Sequence, residues 1–63
     1  MQQLLTIKDL ARILNISIME ARRLVWAGEI QYINLNKGGR YIKARFTPEH
    51  INAYLRQREI KVG

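Results

Sequence analysis

The sequence predicts a small α+β fold in the order helix, helix, strand, strand, helix, and three observations predict it. Two stretches with apolar residues at helical spacing, residues 7–14 and 18–27, lie on either side of the short link Asn15, Ile16, Ser17. After Gly28 and Glu29 the periodicity changes from helical to alternating, as expected of strands. Near residue 47 a threonine followed by proline marks the start of another helix.

In the first helix, Thr6 is the N-cap candidate and Asp9 occupies the third helical position, where its carboxylate can reach back to the cap. Leu5 and Leu10 are placed to form a hydrophobic staple. Ile7, Leu10, Ala11 and Leu14 form the apolar stripe, and Asn15 tolerates the left-handed conformation that ends a helix. The short link forces the next helix to pack at a steep angle, the geometry of a helix-turn-helix, with Ile16 buried in the turn.

The second helix starts at Ile18, because Ser17 and Glu20 make a capping box, and it ends at Gly28. Ala21, Leu24 and Val25 form a narrow inward stripe. Ile18, Met19, Arg22, Arg23 and Trp26 are left on the other faces, a mixture suited to phosphates, base edges and thymine methyls. The sequence leaves Trp26 open between core and contact face.

Residues 30–35 and 40–46 read as two strands joined across a turn containing Gly38 and Gly39. Ile42, Ala44 and Phe46 share one face with Ile33 and Leu35 opposite, while Tyr41, Lys43 and Arg45 point away. Such a ribbon is marginal alone and leans its apolar face on the helices. Its tip, residues 36–40, carries Lys37 and Arg40 and reads as a wing for an adjacent minor groove. In the last helix, Thr47 caps, Pro48 opens, Glu49 suits the positive end of the dipole, and Ile51 pairs with Phe46 as a staple. Ile51, Tyr54 and Leu55 form its inward stripe as far as residue 59. Arg56, Arg58 and Lys61 read as cations at a solvated helix end. Ile60 and Val62 are apolar with little left to pack against and suggest a protein contact.

Sixty-three residues suffice for one domain, residues 1–63, with 1–3 and 60–63 expected to fray. Cysteine is absent, so packing and caps must hold the chain. No apolar run has the length of a membrane span, which predicts a cytoplasmic protein with no membrane partner. The net charge is +6: residues 1–30 carry four cations against three acids, and residues 31–63 carry seven against two. A basic, cysteine-free domain points to a polyanion, most commonly nucleic acid, a property shared with ribosomal proteins and membrane-surface peptides. With the helix-turn-helix reading the expected partner is double-stranded DNA. Catalysis has no visible apparatus. His50 stands without a second His or any Cys, Ser17, Thr6 and Thr47 are accounted for as caps, and no phosphate-cradling loop exists. The expectation is a non-enzyme with no metal and no cofactor.

Taken together, LLTIKDLARILNIS, EARRLVWAGEI, the GGRY tip and RFTPEHINAYL resemble the excisionase-type branch of the MerR-like winged-helix proteins, from Leu4 to about Arg58. The resemblance implies a winged helix-turn-helix whose second helix reads the major groove while the wing touches the minor groove. By position it nominates Ser17, Ile18, Met19, Arg22 and Arg23 in the helix and Lys37, Gly39 and Arg40 in the wing; Lys43 and Arg45, on the outward face of the second strand, are further candidates for backbone contacts. Such proteins, encoded by bacteria or phages, often act as recombination directionality factors. Several copies bind side by side, bend DNA and help the integrase of a phage or mobile element to excise. This implies an integrase as a partner and head-to-tail self-association on DNA, the chain having no dimerising coiled coil. A small transcription regulator on the same fold is one alternative, and an adaptor docking through Trp26, Met19 and Ile18 is another. This chain departs from the family in carrying Arg22 where an aromatic or polar residue is common, and Trp26 and Ala27 where basic residues are common. Its second helix is thus less basic and more apolar than usual.

Overall fold

A computed structural model describes residues 3–62. The fraying expected of the two ends falls partly on Met1, Gln2 and Gly63, which lie outside the described residues. The element order is α1 (Ile7–Leu14), α2 (Ile18–Trp26), β1 (Ile33–Asn34), β2 (Ala44–Arg45) and α3 (Pro48–Arg58). This is the helix-helix-strand-strand-helix order expected of a winged helix-turn-helix.

Each helix begins in a reciprocal capping box. The Asp9 N–H donates to Thr6 Oγ1 (3.2 Å) and the Thr6 N–H to Asp9 Oδ2 (3.0 Å). The Glu20 N–H donates to Ser17 Oγ (3.0 Å) and the Ser17 N–H to Glu20 Oε1 (3.2 Å). At α3 the partner of Thr47 is His50, whose N–H donates to Thr47 Oγ1 (3.2 Å) while its Nδ1 accepts the Thr47 N–H (3.3 Å). The histidine that suggested no ligand set is thus a cap. The Thr6 backbone N–H first, then the Thr6 hydroxyl and the Arg12 guanidinium beside it, hold the Asp9 carboxyl below the usual carboxylate range.

The ends of α1 and α2 share one device. Asn15 adopts the left-handed conformation (φ 57°) and the Ile16 N–H bonds Ala11 O at 2.9 Å. Gly28 does the same (φ +70°), with the Glu29 N–H on Leu24 O at 2.9 Å. Both ends are therefore sharp, and α2 is held against α1 at a fixed angle.

The core draws on every region. Leu10 and Ala11 come from α1, Ala21 and Val25 from α2, Ile51 from α3, and Ile30 and Phe46 from the ribbon. Phe46 and Leu10 are fully enclosed, and Leu5, Ile16 and Leu24 pack against the cluster. Residue 46 also pairs by its backbone with Leu5, each N–H donating to the other's carbonyl at 2.8 Å. The base of the ribbon is thereby tied to the segment that leads into α1.

The regular strands are shorter than the alternation suggests, two residues each, paired Ile33 to Arg45 and Asn34 to Ala44. The expected inner face of the first strand is also out of phase by one residue. Ile33 and Leu35 are exposed, while Ile30 and Tyr32 turn inward. The pairing gives the reason: Asn34 sits opposite the half-buried Ala44, and residues directly opposite share a face. Ile42, also expected inside, is exposed and lines the open cleft between the ribbon and α2. In α3, Leu55 is exposed as well, leaving Ile51 and Tyr54 as the contact. Arg58 is not simply solvated: it pairs with Glu29 and lies 5.2 Å over the Tyr54 ring, joining the end of α3 to the turn after α2.

Phe46→Ala removes one of the two fully enclosed core side chains, at the base of the wing. A loss of about 3–5 kcal/mol is expected, enough to unfold so small a domain; a urea midpoint close to wild type would contradict this packing.

Candidate nucleic-acid interface

The outer side of α2 carries the side chains that its capping and inward stripe leave over. Ile18 and Met19 are exposed in the first turn, with Arg22 and Arg23 one turn on. Ser17 is exposed, but its oxygen is engaged by the Glu20 N–H, which leaves its hydroxyl hydrogen for any outward contact. Trp26, left open by the sequence, is 65% exposed. It is a surface residue.

The wing tip is built by two asparagines. Asn34 Oδ1 accepts from the Asn36 N–H (2.9 Å) and from the Lys43 N–H (3.1 Å), so one side chain ties both arms together. Above it, Asn36 O accepts the Gly39 N–H at 2.9 Å across Lys37 and Gly38, and Gly38 has φ +79°. That pattern requires a residue tolerant of positive φ at the third turn position. Asn36 Nδ2 then donates to Tyr41 O at 2.9 Å. Gly39 is needed for a different reason: a Cβ there would collide with the Asn36 side chain. Lys37 and Arg40 project from this tip, both exposed.

Between α2 and the second arm of the wing lies an open cleft of about 600 Å³. Arg22 and Trp26 form one wall, and Arg40, Tyr41, Lys43 and Arg45 stand along the other. Its floor includes Ile7, Val25 and Ala44. Arg45 is half-buried and anchored, with Nη1 donating to Ala44 O at 2.8 Å. A volume of this size is also ordinary for a small-molecule pocket. Its lining holds four cations and no acid, which suits an anionic partner.

Of the residues nominated from the sequence, the fold brings Arg22 and Arg40 onto this cleft with Lys43 and Arg45. Ser17, Ile18, Met19 and Arg23 lie elsewhere on α2 and its cap, and Lys37 and Gly39 at the tip, none of them lining it. Trp26 and Tyr41 were not nominated. The alternation that set Tyr41 beside Lys43 and Arg45 was the available signal for one of them. For Trp26 the signal was helical spacing, which sets it one turn after Arg22 on the outer side of α2.

A family model described as a helix-turn-helix domain matches residues 4–59. The chain belongs to the helix-turn-helix domain family. Helix-turn-helix domains of this family include excisionase-like DNA-binding proteins, they imply DNA binding, and they are not typically enzymatic. No curated protein and no solved structure matches the chain significantly. Among the described residues, no helix is long and apolar enough to cross a membrane, and no group of three or more His, Cys, Asp or Glu could hold a metal ion.

Gly39→Ala should displace the Asn36 side chain from Tyr41 O and loosen the tip. The expected loss is one exposed hydrogen bond's worth, about 0.5–1.5 kcal/mol, with faster amide exchange confined to residues 36–43. Unchanged exchange there would show that the tip does not depend on this contact.

Proposed function

We propose that this helix-turn-helix domain is a sequence-specific, architectural DNA-binding protein of the excisionase kind. In this reading α2 lies in the major groove and presents Ile18, Met19, Arg22 and Arg23, with Ser17 at its start. The wing enters the adjacent minor groove with Lys37 and Arg40, Gly39 allowing the close approach, and Lys43 and Arg45 contact the sugar-phosphate backbone. Copies bind side by side, bend attachment-site DNA and assist an integrase in excision.

The observation that carries this reading is the acid-free cleft in which Arg22 of α2 faces Arg40, Lys43 and Arg45 of the wing. A helix and a ribbon that converge on one cationic surface can meet adjacent grooves of one duplex, with the intervening phosphates between them. The resemblance in LLTIKDLARILNIS and the GGRY tip supports the excisionase assignment. A transcription regulator on the same fold would bind DNA equally well and fail to stimulate excision.

Gel-shift titration on DNA around the gene and its element's attachment site, with scrambled competitor at two salt concentrations, should give stepwise, competitor-resistant shifts. The double variant Arg22→Ala, Arg23→Ala should lose affinity and lower the salt slope by roughly two, and Arg40→Ala should weaken binding with little loss of fold. Shifts that vanish with competitor or salt would refute sequence-specific binding, and specific binding without excision by the neighbouring integrase would favour the regulator.

A further inference from the structure

We infer that the cleft between α2 and the wing seats one sugar-phosphate strand of duplex DNA with Trp26 and Tyr41 packed against its deoxyribose rings, giving an anchor that does not depend on salt. The inference rests on the DNA-binding reading and adds an apolar contact to it.

The chain has five aromatic residues. Phe46 is in the core, and Tyr32 and Tyr54 are half-buried against it. The remaining two, Trp26 and Tyr41, are 65% and 67% exposed, and both line the same cleft. Exposure of large rings is unfavourable in a domain with so little core, and rings that combine an apolar body with a polar edge are enriched where a partner covers them.

Charge complementarity selects the occupant. Arg22, Arg40, Lys43 and Arg45 line the cleft with no carboxylate among the lining residues, so the partner must bring anionic charge along its length. It must also bring apolar surface to meet Trp26, Tyr41 and the floor of Ile7, Val25 and Ala44. A sugar-phosphate strand has both, its phosphates alternating with deoxyribose rings. Bases in a duplex are stacked and paired, so stacking on the two rings is not available without unpairing, and the sugars are the surface they meet.

The two kinds of contact have different salt signatures. A lysine or arginine on a phosphate releases counterions and contributes to the slope of log K against log salt, whereas a ring on a sugar contributes affinity alone. Trp26 is the chain's sole tryptophan, so its fluorescence reports on the cleft without labelling.

The test titrates the unmodified protein with a short fluorescein-labelled duplex at low salt, following duplex anisotropy and Trp26 quenching by acrylamide together. Trp26 should become protected along the anisotropy curve. Trp26→Ala and Tyr41→Ala, with unchanged circular dichroism, should each weaken binding on the order of tenfold at an unchanged salt slope, and Lys43→Ala should lower the slope by about one. Duplex binding with Trp26 still quenched and both aromatic variants at wild-type affinity would overturn the strand seat while leaving DNA binding intact. Absence of duplex binding would overturn both. Protection that grows with protein concentration in the absence of DNA would assign the cleft to a second copy and overturn the proposal, as would tighter binding of the same sequence as a single strand.

Discussion

Phe46 is the point at which the separate parts of this chain are held in one arrangement. Its ring is fully enclosed, its backbone exchanges two hydrogen bonds with Leu5, and the next residue caps α3. A ribbon with two paired residues per strand has no stability of its own, so the direction of the wing is inherited from this anchorage. The cleft follows from it. Arg22 and Trp26 are fixed by α2, residues 40–45 by the ribbon, and the angle between them by Phe46 among α1, α2 and α3.

The economy of the fold is set by its size. With no cysteine and a core of small extent, the helices are specified at their ends, each by a Thr or Ser cap with a reciprocal partner three residues on. That work uses up most of the polar residues that could otherwise suggest catalysis, including Ser17 and His50. What is left at the surface is mainly cations and large apolar side chains, the two ingredients of a DNA-facing surface.

Local chemistry was readable in advance. Thr6, Ser17, Thr47, Asn15 and Gly28 act through neighbours within five residues, and all three helices stand where those residues put them. The ribbon's phase was not readable, because residues 30–35 hold apolar side chains at both Ile30 and Tyr32 and at Ile33 and Leu35. Only the pairing of Asn34 with Ala44, together with the use of Asn34 Oδ1 to brace the tip, decides which pair turns inward. The cleft was legible in part. Arg22, Arg40, Lys43 and Arg45 were singled out for their charge and Trp26 stands one turn from Arg22, but that this side of α2 faces the wing depends on a tertiary angle that no local signal encodes.

Backbone amide shifts of the labelled protein titrated with duplex DNA test most directly whether α2 and the wing form one DNA-facing surface. Perturbations should concentrate on residues 17–26 and 36–45, leaving residues 52–60 at the far end of α3 little changed. Perturbations centred on α3 and its following tail, with α2 and the wing unmoved, would contradict the account.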